Sequence, residues 1–227
     1  MSPVLLSILL VIATLFTAFV SGLFGMAGGI ILMGILVTLL PVGAAMVLHG
    51  LIQLVSNAWR AWLWRKHLRL DIFGLSMVGS VAVLVLFSLV QFVPDKPLVL
   101  IIMGVLPFIQ YMMPQSLRLD ITKRGQAMFC GFIVTGTQLV SGVSGAMLDQ
   151  FYIYSPLDRR EQVATKAACQ SVGHITKLVY FGGILASAGE LAMLPLWVYP
   201  CVIAAAMAGN SLAAKPLEKL SNEQFRR

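Results

Sequence analysis

The chain has 227 residues, of which 59% are apolar and only 11% are charged, and its formal net charge is +7 at pH 7. A soluble domain carries about a quarter charged residues, so this composition excludes a water-soluble globule and an intrinsically disordered chain. The positive charge does not indicate a nucleic-acid-binding protein, since the basic residues are spread over short loops and do not gather on one soluble face.

Long apolar runs alternate with short charged loops, a pattern that is typical of an all-α polytopic membrane protein. A membrane-spanning helix needs about 20 apolar residues, and the runs indicate about seven to eight membrane segments. In chain order the runs cover residues 3–23, 28–41, 43–64, 72–93, 97–114, 126–148, 162–187 and 191–211. No Lys or Arg precedes the first run, so we interpret it as a membrane segment and not as a cleaved signal peptide.

Four regions rich in Lys and Arg set the predicted orientation, and they hold twelve of the sixteen basic residues. They are residues 65–71, 115–125, 158–161 and the tail after residue 214. Basic loops face the cytoplasm, which predicts a multi-pass protein of the inner (cytoplasmic) membrane with its C-terminus inside and its N-terminus outside. In this arrangement residues 3–41 and 126–157 each leave one side and return to it, so both are predicted to be hairpins.

A Ser-Gly-x-x-Gly cluster lies within each hairpin, at residues 21–25 and 141–145. Glycine lets the backbone unwind and approach a ligand without obstruction by a Cβ atom, so we expect a broken helix at each cluster. Few residues separate the second cluster from the charged Asp158, which predicts that the returning arm of that hairpin is half-depth and broken. Close helix packing, which is typical of small residues, is the alternative role for Gly28.

The helix after each hairpin carries polar side chains at the spacing i, i+4 and i+7, which places them on one helical face. These side chains are Gln53, Asn57 and Arg60 in the first helix, and Gln170, His174 and Lys177 in the second. Because a glycine bend and a polar face recur in the same order, we infer an internal duplication. The two copies have opposite predicted orientations, and inverted repeats with broken helices are the recurrent plan of secondary transporters.

The duplication divides the chain into two halves with similar contents. Residues 1–114 form the first half, with a hairpin at 3–41, helices at 43–64 and 72–93, and a connecting helix at 97–114. Residues 115–227 form the second half, with a hairpin at 126–157, helices at 162–187 and 191–211, and a cytoplasmic tail.

The two bends and the two polar faces are predicted to surround an anion near the middle of the membrane. Helix N-termini that face a buried cavity offer backbone N–H groups to an anion. The expected substrate-binding residues belong to the bends and the polar faces: Gly25, Gly28, Gly29, Gln53, Asn57, Ser144, Gly145, Gln170, His174 and Lys177. For the two glutamines, an interhelical hydrogen bond is the alternative to binding the substrate.

The charges within the apolar segments have more than one interpretation. Asp149 is assigned as the coupling-ion residue for a proton or Na⁺, with capping of a half-helix as the alternative. Lys166 and Arg60 lie near the predicted cytoplasmic ends of their helices, where their side chains can extend to the interface. Lys177 lies deeper and is expected to make the anion path positive. No three His, Cys or carboxylate groups cluster in the sequence, so no metal is expected.

Residues 162–177 (Gln-Val-Ala-Thr-Lys-Ala-Ala-Cys-Gln-Ser-Val-Gly-His-Ile-Thr-Lys) and the first bend at 25–29 (Gly-Met-Ala-Gly-Gly) resemble the TauE/SafE family of sulfite exporters and toluene-sulfonate-uptake-like permeases. The resemblance covers nearly the whole chain. It implies a secondary transporter, not an enzyme and without a cofactor, that moves a small sulfur-containing anion such as sulfite or an organosulfonate by alternating access. The matching Ala-Thr-Lys-Ala segment adds Thr165 to the expected substrate-binding residues. The expected partners are the anion and the lipid bilayer, with no nucleic acid, and a homo-oligomer is compatible with the sequence.

One alternative belongs to a different class of protein. Residues 142–145 (Gly-Val-Ser-Gly) also match the GxSG motif of rhomboid-like intramembrane serine proteases, with Ser144 as the nucleophile and His174 as the base. The inferred duplication argues against this alternative. Ser144 corresponds to Phe24 in the first half whereas the surrounding glycines match, which indicates that the cluster serves the architecture.

Overall fold

The computed structural model describes residues 3–24, 27–112, 119–187 and 195–219. Over these residues the chain forms nine α-helices, one turn of 3₁₀ helix at Arg65–His67 and no strand, so the prediction of an all-α fold is confirmed. The helices are α1 (Pro3–Phe24), α2 (Ala27–Leu39), α3 (Val42–Leu63), α4 (Leu70–Val90), α5 (Lys96–Met112), α6 (Arg124–Ser141), α7 (Gly145–Tyr152), α8 (Arg159–Ser187) and α9 (Val198–Lys219).

Three of the described helices are long and apolar enough to cross a membrane: α1 over Val4–Leu23, α3 over Val42–Leu63 and α4 over Leu70–Val90. Their outward faces carry large apolar side chains, and Leu89, for example, is 79% exposed. Such faces are stable against lipid and unfavourable in water. The chain is therefore a polytopic membrane protein, and the number of seven to eight segments stays a prediction.

The apolar run predicted at 126–148 is divided between two helices. α6 ends at Ser141 because Gly142 adopts a left-handed conformation (φ +79°), and its N–H donates to the carbonyl of Gln138 at 2.9 Å. A Cβ atom at Gly142 would also lie 2.5 Å from the Met33 side chain, so both conformation and space require glycine there. α7 then begins at Gly145, and its eight residues span only about 12 Å at 1.5 Å per residue.

The corresponding interruption in the first part of the chain lies between α1 and α2. α1 ends at Phe24 and α2 begins at Ala27; Gly25 and Met26, at the centre of the predicted first bend, lie outside the described residues. α2 is buried on one face, where its Leu32 and Leu36 side chains are inaccessible, while Ile31 and Leu39 are each 41% exposed. A helix that begins inside the membrane is tolerated only where protein surrounds its end, and the buried Gly28 lies at the start of α2.

Six of the other helices pack in pairs: α1 on α9, α3 on α8, and α4 on α6. Glycines bring the backbones of α4 and α6 into direct contact. A Cβ atom at Gly131 would lie 1.9 Å from the carbonyl oxygen of Ser76, and one at Gly79 would lie 2.0 Å from that of Met128. Lipid supplies no hydrophobic driving force between helices, so the close packing that small residues permit stabilises such crossings.

Substitution of Gly79 by alanine is expected to destabilise the fold by roughly 1–3 kcal/mol, the usual cost of forcing extra atoms into a packed interface. The measurement is the temperature at which the protein in detergent loses its monodisperse peak in size-exclusion chromatography. Gly74→Ala in the same helix is the matched control, because a Cβ atom there meets nothing within 4 Å. We expect Gly74→Ala to leave this temperature unchanged or to raise it, and equal losses in both variants would contradict the close crossing.

Candidate functional site

A polar cavity lies where the first turns of α2 and α7 meet the middle of α3 and α8. The empty space is about 290 Å³, its open mouth included. It is lined by Ser21, Gly29, Ile30, His49, Gln53, Val143, Ser144, Gly145, Gln170 and His174. The two bends and the two polar helical faces, which are far apart in sequence, therefore meet at one place.

Two helix N-termini lie beside this cavity, which Gly29 of α2 and Gly145 of α7 help to line. α2 begins at Ala27 and α7 at Gly145, and the first N–H groups of a helix have no acceptor within that helix. Ser144 precedes α7, but its side chain does not cap the helix. The positive ends of the two helix dipoles therefore lie beside the cavity, an arrangement that favours a bound anion.

The amides of Gln53 and Gln170 both line the cavity. Within the described residues no hydrogen bond joins the two side chains, and the Gln53 Oε1 atom lies 3.5 Å from the Asn57 Nδ2 atom. Asn57 is buried one helical turn from Gln53 and does not line the cavity. Its Nδ2 group donates to the Gln53 carbonyl at 2.8 Å. The arrangement favours the cavity over an interhelical amide pair as the partner of the two glutamines.

His174 is held by Gln138, a residue that the sequence analysis missed. The Ser144 hydroxyl donates to Gln138 Oε1 at 2.9 Å, so the amide NH₂ of Gln138 faces His174 Nδ1 at 2.7 Å. The ring then accepts at Nδ1 and carries its hydrogen on Nε2, which has no hydrogen-bond partner in the described part of the chain. In the sequence, the position of Gln138 one helical turn before the glycine bend at Gly142 was the feature that could have indicated its role.

Lys177 lies behind the cavity wall and is completely buried. Its Nζ atom is 2.7 Å from His49 Nδ1 and donates to the Gly142 carbonyl at 3.0 Å. His49 Nε2 lies 2.9 Å from the Gly29 carbonyl, which can only accept, so the ring hydrogen is on Nε2 and Nδ1 accepts from Lys177. A single chain of hydrogen bonds thus connects the start of α2 with the end of α6.

Several residues expected at the site lie elsewhere. The Thr165 hydroxyl accepts a hydrogen bond from the Arg69 backbone N–H at 3.1 Å, near the start of α4. Gly28 packs against α1, where a Cβ atom would lie 1.9 Å from the Thr17 carbonyl oxygen, so the close-packing alternative describes its place. Gly25 lies outside the described residues.

Three charged residues have partners that the sequence analysis did not foresee. Asp149 lies in the second turn of α7 and forms an ion pair with Lys166 at 2.5 Å, so it does not cap that helix. The expected extension of Arg60 to the membrane interface is wrong, whereas that of Lys166 stays a prediction. Arg60 is only 8% exposed and donates from Nε and Nη2 to the side-chain oxygen of Asn210 in α9.

The protease alternative is not supported by this geometry. A serine nucleophile needs its base within hydrogen-bond reach, but the Ser144 hydroxyl donates to Gln138, which lies between Ser144 and His174. We therefore expect no labelling of the purified protein by a fluorophosphonate probe, detected by in-gel fluorescence. Labelling that disappears in Ser144→Ala would contradict this prediction.

Comparison with known proteins assigns the chain to a family. No curated protein and no solved structure matches it. The family model described as Sulfite exporter TauE/SafE matches residues 10–227, which is nearly the whole chain. The match includes both bends, both polar helical faces and every described residue of the cavity wall. The chain belongs to the TauE/SafE family of sulfite exporters.

Proposed function

We propose that the protein is a secondary transporter that moves a small sulfur-containing anion, such as sulfite or an organosulfonate, across the cytoplasmic membrane by alternating access. One observation carries the proposal: the N-termini of two interrupted helices meet at a cavity with two glutamine amides from facing helices. Each of these groups can donate a hydrogen bond, and they surround one small space. Membership in an exporter family supports the same class of function.

The proposed anion site uses neutral donors. Backbone N–H groups at Gly29 and Gly145 would bind oxygen atoms from opposite sides, while Gln53, Gln170 and the Nε2–H of His174 would orient the anion. None of the residues that line the cavity is formally charged, and the buried Lys177 lies directly behind His49. An oxyanion accepts several hydrogen bonds at once, and the positive ends of the two helix dipoles favour an anion over a cation.

The packing of the helices supports an inverted repeat as the basis of alternating access. If α1 corresponds to α6 and α4 to α9, the contact of α1 with α9 corresponds to that of α6 with α4, and both are present. The contacts of α4 with α8 and of α9 with α3 form a second matching pair. Alternating access would then open the central cavity to one side of the membrane at a time.

The test is uptake of radiolabelled sulfite, thiosulfate, sulfate and a small organosulfonate into proteoliposomes, with and without a pH gradient. We expect saturable transport of at least one anion. Gln53→Ala and Gln170→Ala should each raise KM roughly ten- to a hundredfold, because a hydrogen bond to a charged group contributes about 1.5–3 kcal/mol.

Ser171→Ala is the control for these variants. Ser171 lies next to Gln170 in α8, and its hydroxyl donates to the Ala167 carbonyl of the same helix. Transport by Ser171→Ala should match that of the unaltered protein. Unchanged kinetics in the Gln53→Ala, Gln170→Ala double variant, in folded protein, would show that the anion binds elsewhere.

A further inference from the structure

Lys177 is a buried basic residue without a counter-charge. Both of its hydrogen-bond partners, the His49 ring and the Gly142 carbonyl, are neutral. Among the residues that the structure describes, no carboxylate lies within ion-pair distance of its Nζ atom, and Asp149 is already paired with Lys166. A buried charge is costly unless an opposite charge accompanies it, so an empty cavity disfavours the ammonium form.

The hydrogen bonds around Lys177 are compatible with two protonation states. The bonds to His49 and Gly142 use two N–H groups of Nζ. An ammonium group has three N–H groups and a neutral amine has two, so both forms can make the same two bonds. The site can therefore gain or lose one proton without rearrangement of the bends that it connects.

Few other titratable groups face this position. α3 contributes His49, and α8 itself contributes His174, whose ring centre is 5.6 Å from that of His49. From α6 come only the neutral Gln138 amide and the Gly142 carbonyl. The other elements packed on α8 are α4 and the 3₁₀ turn at Arg65–His67. The charged residue of α4, Asp71, pairs with Arg69, and it lies at the same loop as the three basic residues of the 3₁₀ turn. Lys177 and the two histidines thus form an isolated titratable cluster beside the cavity.

We propose that the Lys177–His49 pair is the proton-binding site of the transporter, occupied when an anion fills the cavity and vacated when the cavity empties. The inference rests on the proposed function. His49 lines the cavity and contacts Lys177, so an anion in the cavity supplies the missing negative charge across one ring. Anion and proton then favour each other's binding reciprocally, and both cross the membrane in the same direction. The residue that binds the coupling ion, a proton, is therefore proposed to be Lys177 and not Asp149, which the sequence suggested.

The test is calorimetric titration of the purified protein in detergent with sulfite, in buffers of different ionisation enthalpy at one pH. The dependence of the binding enthalpy on the buffer gives the number of protons taken up per anion bound. Lys177→Gln is the matched variant, because its amide offers two N–H groups but cannot titrate. We expect the unaltered protein to take up roughly one proton more per anion than Lys177→Gln. The protons that sulfite itself gains or loses are the same for both proteins, so they cancel in this difference.

Asp149→Asn separates the two candidate proton sites, and it should keep the uptake of the unaltered protein. Loss of uptake in Asp149→Asn with retention in Lys177→Gln would overturn the proposal. Anion binding with equal proton uptake in the unaltered protein and in Lys177→Gln would also overturn it, while the transport function would stand. If no anion binds to the folded, unaltered protein, the proposed function fails and this inference falls with it.

A second measurement decides the question if Lys177→Gln does not fold. The Kd of the unaltered protein for methanesulfonate, whose charge does not change near neutral pH, should rise with pH and approach about tenfold per pH unit. A Kd that stays constant between about pH 6 and pH 9 would overturn the proposal, because coupled binding requires this dependence.

Discussion

A helix that ends inside a membrane leaves backbone groups that water cannot reach, and the centre of this protein is organised around that constraint. At the end of α6 the carbonyl of Gly142 accepts from Lys177, and at the start of α2 the carbonyl of Gly29 accepts from His49. The first N–H groups of α2 and α7 have no acceptor within their helices, and both helix starts lie beside a shared cavity. The interruption of the helices thus brings the buried basic residues into the centre and leaves a place for an acceptor.

The rest of the fold holds these interrupted helices in position. The crossings of α1 with α9 and of α4 with α6 lie on either side of the central pair, α3 and α8. Gly79 and Gly131 bring α4 and α6 to backbone contact, and Ser76 and Ser80 donate hydrogen bonds across the same crossing. The α7 helix is too short to be stable alone, and the ion pair between Asp149 and Lys166 fastens it to α8.

Local patterns in the sequence were sufficient to predict the bends and the polar faces, because glycine clusters and helical spacing act over a few residues. They could not predict partners that the fold brings together from distant positions. Lys177 and His49 are 128 residues apart, and Arg60 finds Asn210 at a separation of 150 residues. Gln138 carries no motif of its own, and only its position beside His174 reveals its role.

The side chains that line the described cavity carry no formal charge. Many binding sites use one residue for both the shape and the charge of the site, and here these two properties belong to different residues. Gln53, Gln170 and Ser144 determine the shape of the space and the directions of its donors. Under the proposed function, Lys177, which does not line that space, would supply its positive charge. Size selectivity and charge selectivity would then be encoded at different positions, and a substitution at a lining residue could change the size of the accepted anion without removing the buried basic group.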